Sequence, residues 1–170
     1  MYFFEAINAP GNLFRRNRMS IQIRQLVHDD CDGCRALYRF LHSDDDPQPA
    51  REVFTAVWNE LVENPRMIYL GAFSGDLMVA VCNAAVVPNL TRGVRPFAVI
   101  ENVITHPDYR RRGIGSVLLS DLIRLCNEHN CYKVMLMSDN RRTEAHAFYR
   151  SVGFDQTTKR AFVMYRDQMK

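Results

Sequence analysis

The chain has 170 residues, of which 47% are hydrophobic, 11% aromatic and 24% charged. This apolar content excludes a mainly disordered chain, and the length suits one domain with a single core. With 22 Lys and Arg against 19 Asp and Glu, the net charge of +3 is too small to indicate a nucleic-acid-binding protein, in which basic residues concentrate on one surface.

Residues 1–18 differ from the rest of the chain and are predicted to be an N-terminal extension, with one domain at 19–170. They contain a Pro-Gly-Asn turn and the short basic cluster Arg15–Arg18, without strand or helix periodicity. Two alternatives stay open: an arm that binds RNA or a membrane surface, and upstream codons read before a start at Met19.

From Met19 onward, strand and helix periodicities alternate, which predicts an α/β domain with a mixed sheet. The predicted strands lie near 21–26, 67–73, 77–87, 97–105, 134–137 and 161–165. The first predicted helix starts near Asp29, with Asp29 or Asp30 as its cap, and the others span 53–61, 114–129 and 145–152. Gly153 is predicted to end the last helix.

The most informative segment runs from Val99 to Ser116, where an apolar strand leads through a turn and a basic loop into a helix. Gly113 and Gly115 remove side chains where the amides before the helix are exposed. These amides and the positive end of the helix suit a pyrophosphate, and Arg110–Arg112 add positive charge. The spacing alone leaves open a plain turn with solvated arginines, because neither the P-loop nor the three-glycine dinucleotide motif is present.

The sequence R-R-R-G-I-G at 110–115 matches the Arg/Gln-x-x-Gly-x-Gly/Ala loop of the GNAT family of N-acetyltransferases. The F-Y-x-x-x-G-F segment at 148–154 and the order of strands and helices also resemble this family, over about residues 20–165. The segments at 100–103 and 131–134 are similar to the small-molecule branch that includes glucosamine-phosphate acetyltransferases. Asn102 stands where that branch often has Asp, so an aminosugar substrate is not carried over.

The resemblance implies a single GNAT-like α/β domain whose mixed, mostly antiparallel sheet is flanked by helices and splayed between its two central strands. It also implies transfer of an acetyl group from acetyl-CoA, as cosubstrate, to a primary amine, without a metal. The backbone at 103–105 would pair with the pantetheine arm, and the loop would hold the pyrophosphate. The residues that the resemblance assigns to CoA are Val103, Ile104, Thr105, Arg110, Arg111, Arg112, Gly113, Ile114, Gly115, Ser116 and Asn140.

Two side chains are candidates for proton transfer, which acetylation of a largely protonated amine requires. Glu101 is the candidate base, acting through a water, as the only carboxylate in the apolar run from Phe97 to Ile104, where we expect partial burial. The alternative is a glutamate paired with Arg92 or Arg95. Tyr149 is the candidate acid for the CoA thiolate, and the alternative is a core residue.

Three further features carry weaker expectations. The acidic run Asp44–Asp46 is interpreted either as a solvated loop or as a site that attracts a cationic acceptor. The pair Cys31 and Cys34 has no second pair at zinc-finger spacing, so no metal or redox site is predicted. The spacing of the five cysteines does not suit a disulfide framework. We see neither a signal peptide nor an apolar run of about 20 residues, the length that spans a bilayer. We therefore expect reduced thiols in a cytoplasmic protein.

The function predicted from these observations is N-acetylation of a small-molecule amine by direct attack on the thioester. A non-catalytic acyl-CoA sensor or interaction module is the alternative, since it would keep the loop but need neither Glu101 nor Tyr149. We expect no nucleic-acid or membrane partner. The acceptor stays unnamed, and a homodimer stays open.

Overall fold

A computed structural model of the chain describes residues 20–41 and 47–169, where the chain forms five strands and four α-helices. The strands are β1 (Ile21–Gln25), β2 (Met67–Ser74), β3 (Leu77–Val87), β4 (Phe97–Thr105) and β5 (Val134–Leu136). The helices are α1 (Cys31–Tyr38), α2 (Arg51–Glu63), α3 (Ile114–Glu128) and α4 (Thr143–Ser151).

The strands form one sheet in the order β1-β2-β3-β4-β5, in which β1 to β4 are antiparallel and β5 runs parallel to β4. Short turns connect the antiparallel pair β2–β3, whereas the parallel connection from β4 to β5 passes through α3, as parallel strands require. This arrangement confirms the predicted mixed, mostly antiparallel sheet.

The β4–β5 pairing is short and ends about halfway along β4. The last paired residues are Ile100 and Leu136, although β4 continues to Thr105. The pairing therefore ends early between β4 and β5, the outermost strand of the described sheet, whereas the splay was predicted between the two central strands. Residues 101–105 of β4 are left with a strand partner on the β3 side alone.

A bulge lies in β4 at the start of this half-paired segment. The pairs Asn83–Glu101 and Val81–Ile104 leave one residue of β3 opposite two of β4. Asn102 adopts a left-handed φ of 54°, which Asn tolerates better than most residues, and its side-chain amide donates to Asn83 Oδ1 at 3.1 Å. Asn83 is almost fully buried, so this hydrogen bond satisfies a polar group inside the sheet.

The two faces of the sheet pack against different helices. Strand β2 alternates, directing Ile68, Leu70 and Ala72 toward the face covered by α3, and Tyr69 and Phe73 toward the face covered by α1 and α2. Trp58 of α2 is 2% exposed, and its indole N–H donates to the His28 carbonyl, so it is part of the core on the α1 and α2 face. The α3 face matters most for function, because α4 joins its core through Phe148, Tyr149 and Val152.

Asp30 is the N-cap residue of α1, as predicted, although its side chain makes no capping hydrogen bond and connects the helix to β1 instead. It accepts hydrogen bonds from both Nη atoms of Arg24, at 2.6 and 2.7 Å, and from the Val27 amide at 2.8 Å. Burial alone would raise the pKa of Asp30, but these hydrogen bonds outweigh it and hold the pKa below its usual range.

The C-terminal segment differs from the sequence prediction. The predicted strand at 161–165 is irregular backbone, and Phe162 is 90% exposed. A strand needs a paired backbone as well as apolar residues, and no described strand pairs with this segment. The predicted end of α4 is confirmed, because Gly153 has φ of 100° and the Phe154 amide donates back to the Tyr149 carbonyl.

All five cysteines are buried free thiols. None of the described helices combines the length and apolarity that a bilayer-spanning helix needs. Residues 1–18 and the acidic run Asp44–Asp46 lie outside the described residues, so the expectations for them stay predictions.

We expect Asp30→Asn to lower the free energy of unfolding by about 2 kcal/mol near neutral pH, because a hydrogen-bonded and nearly buried charge pair is broken. The folded-state pKa of Asp30 is depressed, so its contribution is complete above the unfolded pKa of about 3.9 and is lost as the pH falls through the folded value. Urea denaturation, followed by the fluorescence of Trp58, measures the free energy of unfolding of both proteins. The difference in this free energy between Asp30→Asn and wild type should become smaller as the pH is lowered to about 3.

Asp32→Asn is the matched control, since the Asp32–Arg51 ion pair is well exposed. Exposed pairs contribute little, so this variant should unfold nearly as wild type does. Equal losses of unfolding free energy in the two variants would show that the burial of Asp30 does not determine the effect of its substitution.

Candidate functional site

A groove of about 720 Å³ lies beside the half-paired segment of β4, between the start of α3 and the start of α4. Strand β4 forms its floor, the loop after β4 forms one wall and α4 forms the other. The residues of the sequence-predicted site that line it are Val103, Ile104, Thr105, Arg110, Arg111, Gly113, Ile114, Gly115, Ser116 and Tyr149. The structure therefore brings most of the predicted site together, and Glu101, Arg112 and Asn140 do not line the groove.

The loop before α3 presents a row of free amides. Arg111 and Gly113 have left-handed φ angles of 58° and 79°, and Gly113 is the N-cap of α3. Within the described part of the chain, the amides from Arg111 to Gly115 have no hydrogen-bond acceptor. Free amides at a helix start, together with the helix dipole, form a site for an anion.

Gly115 allows this helix start to lie close against the sheet and α4. A Cβ at Gly115 would approach Thr105 Oγ1 to 3.3 Å, a tight contact, and the Phe148 ring to 3.5 Å, an ordinary van der Waals contact. Nothing lies within 4 Å of a Cβ at Gly113, so this second glycine is required by its backbone angle and not by space.

The three arginines of the loop have different roles. Arg110 Nε donates to the Thr105 carbonyl at 3.1 Å, and Arg111 forms an exposed ion pair of 3.6 Å with Glu144 of α4, across the groove. Arg112 turns away, since it donates to the Asp108 carbonyl and lies over the ring of Tyr109. Its predicted contact with CoA therefore stays a prediction without support from its position.

Tyr149 lies on α4 and lines the groove while its ring packs against Phe148 and Phe154, with centroid separations of 5.3 and 6.2 Å. The ring is thus a half-buried core residue on the groove wall, and its role as an acid stays a prediction. Burial raises the pKa of the phenol, Arg142 opposes this, and Glu101 and Cys82 add to it. The net pKa is raised, so Tyr149 is protonated at neutral pH and able to donate.

Glu101 is exposed, so the expected partial burial is wrong. It precedes the bulge at Asn102, where the change of register turns the strand, and it is close enough to Tyr149 to affect the pKa of the phenol. Among the described residues Glu101 has no ion pair, and Arg95 donates instead to the carbonyls of Asn130 and Cys131. The alternative of a structural pair with Arg92 or Arg95 is therefore not met.

Asn140 is exposed and lies before the groove wall, so its predicted contact with CoA also stays a prediction. The two arginines that follow it do line the groove, and the sequence analysis missed them. Arg141 is held by Asp139 through two hydrogen bonds, of 3.0 and 2.8 Å, whereas Arg142 is the N-cap residue of α4. Basic residues just before a helix start are the signal that could have found them, as at Arg110–Arg112.

Comparisons with known proteins agree on one family. The model of the acetyltransferase (GNAT) family matches residues 31–154. A putative acetyltransferase from Agrobacterium tumefaciens is 34% identical, with a TM-score of 0.79, over 85% of this chain and 99% of that one. An aminoglycoside N-acetyltransferase solved in complex with CoA has the same fold, with 18% identity and a TM-score of 0.74 over 91% of this chain and 99% of its own.

One curated relative is a glucosamine 6-phosphate N-acetyltransferase of Trypanosoma brucei brucei. It is 39% identical over 67 residues, which are 39% of this chain and 44% of the relative. The chain matches less than half the length of the curated relatives that it resembles. These partial matches therefore support a shared family more strongly than a shared substrate.

We expect Gly113→Ala to lower the free energy of unfolding by about 1 kcal/mol, because a Cβ strains a left-handed backbone even where space is open. Gly113→Asn should recover most of this loss, since Asn tolerates that conformation. Denaturant titration of both variants tests the assignment. A Gly113→Ala protein as stable as wild type would contradict it.

Proposed function

Because the chain belongs to the acetyltransferase (GNAT) family, we propose that it transfers the acetyl group of acetyl-CoA to a primary amine of a small molecule. One observation carries the proposal: a row of free amides, an open strand edge and a protonated tyrosine line a single groove. CoA offers a pyrophosphate, an extended amide-bearing arm and a thiolate leaving group, which are the three groups that these features complement.

The pyrophosphate is proposed to lie on the amides from Arg111 to Gly115, with the guanidinium groups of Arg110 and Arg111 beside it. The amides point outward without acceptors, so they lose no internal hydrogen bond when they bind an anion. The ion pair of Arg111 with Glu144 is exposed on both sides, so a phosphate can replace Glu144 at little cost.

The pantetheine arm is proposed to extend along Val103, Ile104 and Thr105, where β4 has no partner on the β5 side. An extended ligand with amide groups can pair with a free strand edge as an added strand does. This position directs the thioester toward the bulge at Asn102, with Tyr149 on the adjacent wall. Asn140 and Arg112 are proposed to contact the outer parts of CoA.

Glu101 is proposed to remove a proton from the acceptor ammonium through a water molecule. An alkyl ammonium has a pKa of about 10.4, so only a small fraction is nucleophilic near neutral pH without a base. Glu101 is exposed and in contact with solvent, which suits a base that acts through water. The free amine then attacks the thioester carbonyl directly.

Tyr149 is proposed to donate its proton to the sulfur as the acetyl carbon–sulfur bond breaks. Its raised pKa keeps the proton in place until then. A thiol with a pKa of about 8.5 is already a good leaving group, so this assistance is smaller than that of the base.

A small-molecule acceptor is supported by the relatives, which include enzymes named for glucosamine 6-phosphate and for aminoglycosides. Phe40 and Leu41, which follow α1, also line the groove and supply apolar surface for the carbon skeleton of a small amine. Neither relative determines which amine this chain uses, because Asn102 departs from the aminosugar pattern.

We predict thiol release from acetyl-CoA that depends on an amine from a mixed small-molecule panel. Glu101→Gln should lower kcat by about 100-fold and Tyr149→Phe by about tenfold, because each removes one proton transfer. Thiol release read with a chromogenic reagent, and the acetylated amine identified by mass spectrometry, measure both effects.

Glu128→Gln and Tyr132→Phe make the same chemical changes outside the groove and should leave kcat unchanged. Tight acetyl-CoA binding without turnover across amines and peptides would favour the sensor instead. Full activity of Glu101→Gln and Tyr149→Phe would remove the residue roles while leaving the transfer reaction in place.

A further inference from the structure

Four arginines line the groove, and three of them are held by acceptors of the protein itself. The pairs are Arg110 with the Thr105 carbonyl at 3.1 Å, Arg111 with Glu144 at 3.6 Å, and Arg141 with Asp139 at 2.8 Å. The side chain of the fourth, Arg142, has no hydrogen bond or ion pair with any residue in the described segments, although its backbone amide donates to the Asp139 carbonyl. Its charge is therefore available to an anion that forms in the groove.

Arg142 shares a helix and a groove with Tyr149. It is the N-cap residue of α4, and Tyr149 follows about two helical turns later, so both lie on one face of the helix. Both side chains line the same groove. Side chains on a helix lean toward its N-terminus, so the Tyr149 phenol leans back toward the helix start, where Arg142 lies.

We propose that Arg142 stabilises the negative charge that forms on the Tyr149 oxygen when Tyr149 protonates the departing CoA thiolate. This inference rests on the proposed function. Arg142 acts through Tyr149 and is a positioning residue for proton transfer. The other three arginines that line the groove do not take this role, because each already has a protein acceptor.

The chemical step balances without another reactant. The amine nitrogen forms a bond to the acetyl carbon, and the carbon–sulfur bond breaks with its electron pair going to sulfur. The Tyr149 proton moves to that sulfur, which leaves a phenolate beside Arg142. The first proton of the original ammonium has already left through Glu101 and water before the attack, and the phenolate then takes up the second proton from the acceptor nitrogen.

Three charged or titratable groups face Tyr149, each from a different element. Arg142 of α4 favours the phenolate, whereas Glu101 of β4 and the buried thiol of Cys82 of β3 disfavour it. Burial of the ring also disfavours the phenolate. Arg142 is thus the group that offsets the others, and its loss removes this offset.

The test compares Arg142→Gln, Arg142→Lys and Arg150→Gln. Arg150 is on the same helix, outside the groove, so Arg150→Gln removes the same charge without facing Tyr149. The pKa of Tyr149 is read in the ligand-free protein by NMR of ring-labelled tyrosine, assigned with Tyr149→Phe. Arg142→Gln should raise this pKa by about one unit, while Arg142→Lys and Arg150→Gln leave it near the wild-type value.

In turnover, Arg142→Gln should lower kcat by about fivefold with little change in the KM for acetyl-CoA. It should cause no further loss in a Tyr149→Phe background, because the two residues act as one unit. An unchanged Tyr149 pKa, a loss confined to KM, or an additive loss in the double variant would each overturn the inference. If Tyr149→Phe itself is fully active, the proposed acid role fails as well, so the two failures are distinguishable.

Discussion

The early end of the β4–β5 pairing is the constraint on which the site depends. Pairing stops at Ile100 and Leu136, and the two chains then lead to opposite walls of the groove. Strand β4 continues to the loop that starts α3, while β5 passes directly into the turn that starts α4. If the strands stayed paired to Thr105, the free edge and the space between the two helix starts would both disappear.

The groove is electropositive because of where its basic groups and helix starts lie, and not because of the net charge of the chain. The chain carries a charge of only +3, yet two helix starts and four arginines converge on one cavity. Most of these arginines are partnered by carbonyls or carboxylates, which holds them in place and limits repulsion among them. The backbone amides of the loop supply anion-binding groups that composition cannot reveal.

Sequence patterns predicted most strands and helices well, because these elements have strong local sequence signals. Strands β2 to β4 and helix α3 end within a residue or two of their predicted bounds, since apolar periodicity and turn glycines mark them. The predicted tail strand at 161–165 was wrong, because pairing partners are set by the whole fold.

Sequence motifs predicted some residues of the candidate site. Other features of the site depend on the three-dimensional fold and could not be predicted from the sequence. The glycine loop and Tyr149 were found from the resemblance, and both line the groove. The exposure of Glu101 was not predicted, since an apolar run does not reveal which strand edge stays open. Arg142 was missed because its importance comes from lacking a partner, which only three-dimensional contacts reveal.

The most direct test is amide hydrogen exchange, resolved to single residues, with and without saturating CoA. The account predicts slower exchange at 103–105 and at 111–115, where a strand edge and free amides would become hydrogen-bonded, with β1 unchanged. CoA binding that leaves the exchange of these amides unaltered would contradict the account, because the ligand would then lie outside the splayed strand edge and the start of α3.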